Sequence, residues 1–573
     1  MTFIKVKISN IVLFLFTFLS ASYTASSDTI DEPILSKSGM VVSQNAQSSN
    51  IGAQILNRGG NAIDAAVAVG FSLAITLPSA GNLGGGGFML VYIKEEHKTY
   101  FIDYRSQSPL NANFAALFKN TSPADLKLVD FDIVKKGYKS PAIPGTVAGL
   151  LDAHKKFGKL SLKEILDPVI LQALKGVEVS YSLHKAIESS LQLKEDPESY
   201  RIFYKDNKPI PVGYIMKRPD LAKTFEIIAN QGKSGFYSGE IASAFINAMN
   251  TNNGFFSTED FIQYKSRINE PLVGIYRDKH IYTAGPPSGG GIALLTALNF
   301  LNTFDIDKKD SHTFATYHLL AEALRRGHNN RSHHVGDPSF YKVPTSGLLS
   351  KNRSNELIKS FQTNKATPAF EVKPHRVRNE SKDTTHYSII DNEGNAVSNT
   401  YTLGYSFGSG VTIPGTGVLL NNQMNNFAYR YGSETINSRA ASPANKFAPG
   451  KRPMSTMAPT MIFNQDGELI LITGSPGGSY IPAAILRVIN GIIDFDLKVS
   501  EATMLPRVHK DWPYAGLDYE EAISQDQITA LEKIGHKTEP KKKMGSTQSI
   551  HIVDNIRYGY SDLRRPGGGV SIQ

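Results

Sequence analysis

Arg376-Val377-Arg378-Asn379-Glu380-Ser381-Lys382-Asp383 runs directly into Thr384-Thr385-His386-Tyr387-Ser388-Ile389-Ile390, and the change of character at that junction decides how this chain is read. The first run is polar and charged, as an exposed connecting segment is. The second is rich in β-branched and aromatic residues. It is followed by Asp391-Asn392-Glu393-Gly394-Asn395 and by a further β-rich run, Ala396-Val397-Ser398-Asn399-Thr400-Tyr401-Thr402. Two such runs around an Asn/Gly turn predict an antiparallel hairpin. The hairpin puts Thr384 at the head of one strand and Thr402 near it on the other.

Working outward, the small and apolar residues 59–69, opened by Gly59-Gly60, predict a tightly packed buried helix. Gly84 to Gly87 form a break that leads into a strand at Phe88–Ile93, and Thr99–Arg105 predicts its hairpin partner, ending in a charge. Helical patterns dominate about 140–359, for example 313–326, with a turn break at Pro286-Pro287-Ser288-Gly289-Gly290-Gly291. Later strands are expected at Thr460–Phe463 and Leu469–Thr473, and a helix at 482–492 after a glycine-rich turn. Strands and helices in this arrangement imply layered α/β structure.

A threonine at the start of a strand is by itself an ordinary packing residue. Thr384 gains chemical meaning from the polar segment before it. An N-terminal threonine carries its own base, because a free α-amine with a pKa near 8 can take the hydroxyl proton at neutral pH. That chemistry requires the Asp383–Thr384 bond to be cut first. The loop Thr473-Gly474-Ser475-Pro476-Gly477-Gly478-Ser479 joins a strand to a helix and can aim successive backbone N–H groups at a developing oxyanion. On residues alone it reads equally as a plain tight turn. No Lys-Ser or Lys-Thr pair follows, which argues against a phosphate loop.

The chain has 573 residues, 41% hydrophobic and 20% charged, which suits a large globular core and excludes a disordered or fibrous class. Its formal charge of +9 is spread out; the longest lysine run, Lys541 to Lys543, reads as a solvated loop, so nucleic acid is not an expected partner. Lys5 and Lys7 before an apolar stretch at 8–19, then Ser20, Ala21 and Ser22, predict an export signal cut near Ser22 or Ala25. The apolar run is too short for a lasting membrane anchor. With no cysteine there is neither a disulfide nor a thiol nucleophile.

Several blocks, in order, carry a resemblance. They are residues 59–68, Gly84-Gly85-Gly86-Gly87-Phe88-Met89, Pro144-Gly145-Thr146-Val147-Ala148-Gly149, residues 286–291, Thr384-Thr385-His386-Tyr387-Ser388, Leu420-Asn421-Asn422-Gln423-Met424, Lys451-Arg452-Pro453-Met454-Ser455 and residues 474–479. Together they resemble a bacterial γ-glutamyltransferase of the N-terminal nucleophile hydrolase superfamily, over nearly the whole mature chain. The resemblance implies a four-layer αββα sandwich. It implies a signal peptide at 1–25, a large subunit at 26–383 and a small catalytic subunit at 384–573, one composite domain made by self-cleavage between Asp383 and Thr384. It implies Thr384 as nucleophile, Thr402 as the hydroxyl that positions it, and Gly477 and Gly478 as oxyanion donors. Arg105, with Ser455 and Thr456, would hold the donor's α-carboxylate, and Gln423 and Asn426 would face its ammonium. The implied donors are glutathione-like γ-glutamyl amides and the acceptors are water, amino acids or peptides. No metal or organic cofactor is implied, and the location is periplasmic or secreted.

The chain departs from the family pattern at two places. Gly404 stands where an asparagine is usual, and Asn426 where an aspartate is. Losing a carboxylate that faces an ammonium favours donors without one, so an acylase for glutaryl-type amides is an alternative. A periplasmic protein that binds peptides or amino acids without turnover is another. Residues 429–449 are expected to form a lid without an aromatic gate at Asn437. Asn330, where the family commonly has Asp, reads as a packing change. His312, His318, His328, His333 and His334 match no metal-binding spacing.

Overall fold

The structure is a computed structural model that describes residues 32–118, 131–368, 383–429, 443–512 and 516–573. The export signal, the segment 376–382 and residues 430–442 of the expected lid lie outside the described residues.

Two seven-stranded antiparallel sheets form the centre. In spatial order, one contains Ile34–Ser36, Ile556–Ser561, Gln548–Val553, Leu469–Thr473, Thr460–Phe463, Lys279–Thr283 and Leu272–Tyr276. The other contains Gly569–Ile572, Met40–Ser43, Asp383–Ile390, Ala396–Gly404, Gly86–Ile93, Lys98–Tyr104 and Arg267–Asn269. The predicted hairpin thus lies near the middle of the second sheet. Its strands show no polar alternation because both faces are covered. In Gly86–Ile93, Met89 and Val91 join one core with the helices Ala62–Thr76 and Thr146–Phe157. Phe88, Leu90 and Tyr92 join the other, with the first sheet and the helices Gly289–Leu301 and Ile481–Ile493. The layers are therefore α, β, β, α.

The helix Ala62–Thr76 is buried along its whole length, and Asn61 and Asp64 cap its first turn reciprocally. Three expectations shift. Helix Phe314–His334 continues well past Arg326. Gly289, Gly290 and Gly291 are the first turn of a helix capped by Ser288, not a loop. Their lack of side chains serves close approach: a Cβ on Gly290 would lie 2.0 Å from the Thr456 carbonyl oxygen. The strand at 98 ends at Tyr104, so Arg105 begins the loop beyond it.

Asn330 is buried, donates to Thr296 Oγ1 and Leu348 O at 3.2 Å, and accepts from Arg353 Nε at 3.0 Å. Its role there is to tie packed helices together.

Candidate active site around Thr384

The hairpin pairs Thr385 with Tyr401 and runs in register to Ile390 opposite Ala396. At its open end the register slips, and Asp383 pairs with Gly404. The strand from Ala396 therefore carries one residue more than its partner at this point, a bulge that takes Thr384 out of the regular ladder. Thr402 Oγ1 donates to the Asp383 carbonyl oxygen at 2.6 Å and accepts from Gly404 N at 2.9 Å. The carbonyl of the junction peptide is thus already polarised by a hydroxyl. Gln423 Nε2 donates to Thr402 O at 2.7 Å, bracing that strand from behind.

Thr384, Thr402, Arg105, Asn426, Ser455, Thr456 and Gly478 all line one cavity, together with Gly404, Met457 and Ile481. In the uncut chain it holds only about 20 Å³, room for roughly one water. Three sequence-selected residues stand behind its wall. Gln423 does so through Thr402, Gly477 directly precedes Gly478, and Asp383 faces a neighbouring cavity.

Arg105 is the dominant charge. It is buried, its Nε donates to Pro453 O at 3.1 Å, and its Nη2 donates to Asn426 Oδ1 at 3.2 Å and Met454 O at 3.4 Å. Its Nη1 has no hydrogen-bond partner among the described residues. Burial lowers its pKa to about 9, partly offset by Asp103. An unpaired buried guanidinium nitrogen costs free energy until an anion meets it. A planar carboxylate is the fitting partner. Neutral backbone carbonyls orient the fork without neutralising it, which leaves the positive charge for a ligand.

Asn445 Nδ2 donates to Asn426 O at 2.8 Å and its Oδ1 accepts from Met454 N at 2.9 Å, joining the two walls beside Arg105. Sequence reading gave Asn445 no role; a lone asparagine in a loop offers no signal. On the far wall Ser455 N donates to Pro287 O at 3.1 Å and Gly289 N to Ser455 O at 2.7 Å.

The loop before helix Ile481–Ile493 adopts left-handed backbone at Gly477 (φ 131°) and Gly478 (φ 59°). A Cβ on Gly477 would meet Gly545 Cα at 3.0 Å. Ser475 Oγ accepts from Ser546 N at 2.9 Å, fixing the loop against the segment that leads into the strand Gln548–Val553. His386 supports the same loop from below. Its ring is buried between Thr400 Oγ1 (2.8 Å) and Ser388 Oγ (3.1 Å), and a Cβ on Gly474 would lie 2.3 Å from it. Burial holds its pKa down to about 3, so the ring is neutral.

Gly404 has φ 105°, and a Cβ there would lie 2.1 Å from Asn422 Oδ1, which accepts from Tyr405 N at 3.0 Å. The glycine is fixed by its surroundings.

Elsewhere, His318, Glu322 and His536 bring one possible ligand atom each to within 4.8 Å of one another. His318 Nδ1 and His536 Nε2 are 2.8 Å apart, Lys510 Nζ is 2.6 Å from His536 Nδ1, and Arg326 pairs with Glu322 at 2.5 Å. Lys510, whose pKa burial lowers to about 7, and Arg326 already fill the surroundings of these ligand atoms, so the cluster closes on itself as a hydrogen-bonded chain.

The chain is similar to known proteins along nearly its whole length. Residues 48–572 match the family model described as gamma-glutamyltranspeptidase. A glutathione hydrolase proenzyme of Escherichia coli (strain K12) is 39% identical over 547 residues, spanning 95% of this chain and 93% of that protein. An acylase ACY 1 proenzyme of Pseudomonas sp. (strain SE83) is 34% identical, spanning 94% of this chain and 95% of that protein. The crystal structure of a cephalosporin acylase from Bacillus halodurans superimposes with a TM-score of 0.82 at 25% identity, over 97% of this chain and 99% of the other. The αββα layers, the hairpin that presents Thr384 and the match along 48–572 lead to one assignment: the chain belongs to the gamma-glutamyltranspeptidase family.

Proposed function

We propose that this chain is an exported precursor that cuts itself between Asp383 and Thr384, giving subunits 26–383 and 384–573, and then transfers γ-glutamyl groups through an ester on Thr384. The observation that carries the reading is Arg105 Nη1, buried and without a hydrogen-bond partner among the described residues, in the same cavity as Thr384. A glutamyl donor brings an α-carboxylate that fits it. The freed α-amine of Thr384 takes the proton from its own hydroxyl as Oγ attacks the donor's γ-carbonyl carbon. The N–H groups of Gly477 and Gly478 hold the oxyanion. The amine half then leaves with the proton. Water or a second amine takes the acyl group, and the Thr384 hydroxyl re-forms. Ser455 and Thr456 assist the carboxylate, and Gln423 acts through Thr402. The donors are glutathione-like amides, and residues 1–25 direct the protein to the periplasm or outside the cell before they are removed.

A second reading, a glutaryl-type amide acylase, uses the same steps. It is supported by Asn426 and Gly404, which leave the cavity without a carboxylate among its described lining residues to face a donor's ammonium, and by the relative named an acylase. One assay separates them: γ-glutamyl and glutaryl anilides given to the cut protein, beside Thr384→Ala. Faster release of aniline from the γ-glutamyl compound by wild type alone supports the transferase. Faster release from the glutaryl compound transfers the conclusion to the acylase. Activity retained by Thr384→Ala overturns both.

A further inference from the structure

We propose that Asn445 is a positioning residue for the donor's carboxylate: it holds the two acceptors of Arg105 Nη2 at a fixed separation and so sets the cavity's preference for acyl donors that carry that group. This rests on the function proposed above and adds which residue tunes the recognition.

Arg105, Asn426, Asn445 and Met454 close a ring. Arg105 Nη2 donates to Asn426 Oδ1 at 3.2 Å and to Met454 O at 3.4 Å, Asn445 Nδ2 donates to Asn426 O at 2.8 Å, and Met454 N donates to Asn445 Oδ1 at 2.9 Å. The guanidinium is planar, so fixing Nε on Pro453 O and Nη2 on these two acceptors also fixes Nη1, which has no hydrogen-bond partner among the described residues. Asn426 ends the 3₁₀ turn Gln423–Asn426, whereas Met454 lies in the stretch that leads to the strand Thr460–Phe463. The two acceptors thus come from separate parts of the chain, and the Asn445 side chain ties them together. The tie requires an amide. One partner is a carbonyl oxygen and needs a donor, and the other is an N–H and needs an acceptor. Asparagine offers both from one short side chain, and its partners fix which way the amide faces.

Asn445 is itself clamped on both sides. It is fully buried, and the carbonyls of its neighbours Ala444 and Lys446 accept from Lys451 Nζ at 2.7 and 2.8 Å. Its own carbonyl accepts from Ala428 N at 3.0 Å. A Cβ on Gly336 would lie 2.0 Å from Ala444 O, so that glycine lets the turn Pro443–Asn445 pack close. The amide therefore works from a fixed frame, and Asn426 can move relative to Met454 only by breaking a buried hydrogen bond. Arg105 meets the donor's carboxylate, whereas Thr384, Thr402 and the glycine loop act on the bond that breaks. The precursor's own Asp383–Thr384 bond brings no such carboxylate, so self-cleavage needs the second set alone. A loss at Asn445 thus falls on donor binding and spares self-cleavage.

The test measures two rates in Asn445→Leu, which matches asparagine in shape and makes neither bond, and in Asn445→Ser, which can keep one. The first is self-cleavage, followed by intact mass as the loss of full-length chain. The second is turnover, on the cut protein, of whichever of the γ-glutamyl and glutaryl anilides wild type consumes faster. Asn445→Leu is expected to lower kcat/KM by about tenfold, the worth of one net hydrogen bond, and to do so through KM, with kcat and self-cleavage at wild-type rates. Asn445→Ser should fall between, and it decides the matter if the leucine variant does not fold. A KM equal to that of wild type, a fall in kcat with KM unchanged, or self-cleavage slowed by the same factor as turnover overturns the positioning role and leaves the function above intact. A wild-type chain that stays uncut, or a cut one that consumes neither anilide, removes the function and this role together.

Discussion

Replacing Asn426 by aspartate tests how this cavity selects its donor. Asn426 Oδ1 accepts from Arg105 Nη2 at 3.2 Å, a bond between a charged donor and a neutral acceptor. An aspartate would keep that contact and add a negative charge to the cavity wall, where the donor's ammonium is expected. A hydrogen bond to a charged partner is worth about 1.5–3 kcal/mol against 0.5–1.5 kcal/mol for a neutral one. The gain for a γ-glutamyl donor is therefore about 1–1.5 kcal/mol, or roughly tenfold in kcat/KM. The new carboxylate would also compete with the substrate for Arg105, but γ-glutamyl and glutaryl donors both carry the group that Arg105 receives. That cost cancels in their ratio. Initial rates with the two anilides on cut Asn426→Asp should show the γ-glutamyl to glutaryl ratio rising about tenfold over wild type. A ratio that stays level or moves toward the glutaryl compound would refute the placement of the ammonium beside residue 426.

Thr402→Val removes the hydroxyl that lies 2.6 Å from the Asp383 carbonyl oxygen. Self-cleavage should slow by about a hundredfold, as for the loss of an oxyanion donor, read as the disappearance of full-length chain with time. Gly404→Asn, which restores the residue usual in the family, sets a Cβ 2.1 Å from Asn422 Oδ1 at φ 105°. It should cost about 1–3 kcal/mol and lower Tm without improving turnover. Burial holds His386 and His509 at about 3 and His551 at about 4, below the 6.5 of an exposed imidazole. The unfolded chain binds more protons between those values, so their contribution is complete above about pH 6.5 and is lost as pH falls through about 4 for His551 and on to about 3 for His386 and His509. Each histidine adds about 1.4 kcal/mol per pH unit, and urea midpoints that are the same at pH 7.5 and pH 5 would contradict their burial as neutral rings.

The hairpin was legible because its two β-rich runs and their Asn/Gly turn are local signals. The strands Thr460–Phe463 and Leu469–Thr473 were equally plain for the same reason. Glycine misled the reading at 289–291, since a glycine required by a backbone 2.0 Å from its missing Cβ looks the same in sequence as one that ends an element. The selected residues were traced by motif, but their division of labour needed the fold. Gln423 reaches the site through Thr402. Arg105 is oriented by the carbonyls of Pro453 and Met454, some 350 positions away and invisible to side-chain motifs. The contact of His318 with His536 spans 218 positions and left no local spacing to find.

The central claim is that Thr384 becomes a free N-terminus and then carries the acyl group. Intact-mass spectrometry of purified wild type beside Thr384→Ala tests it most directly, before and after brief exposure to a γ-glutamyl donor. The account predicts two wild-type fragments meeting at Asp383 and Thr384, a donor-dependent acyl increment on the fragment 384–573 only, and an uncut Thr384→Ala chain. A wild-type chain that stays whole, or an increment on any residue other than Thr384, would contradict it.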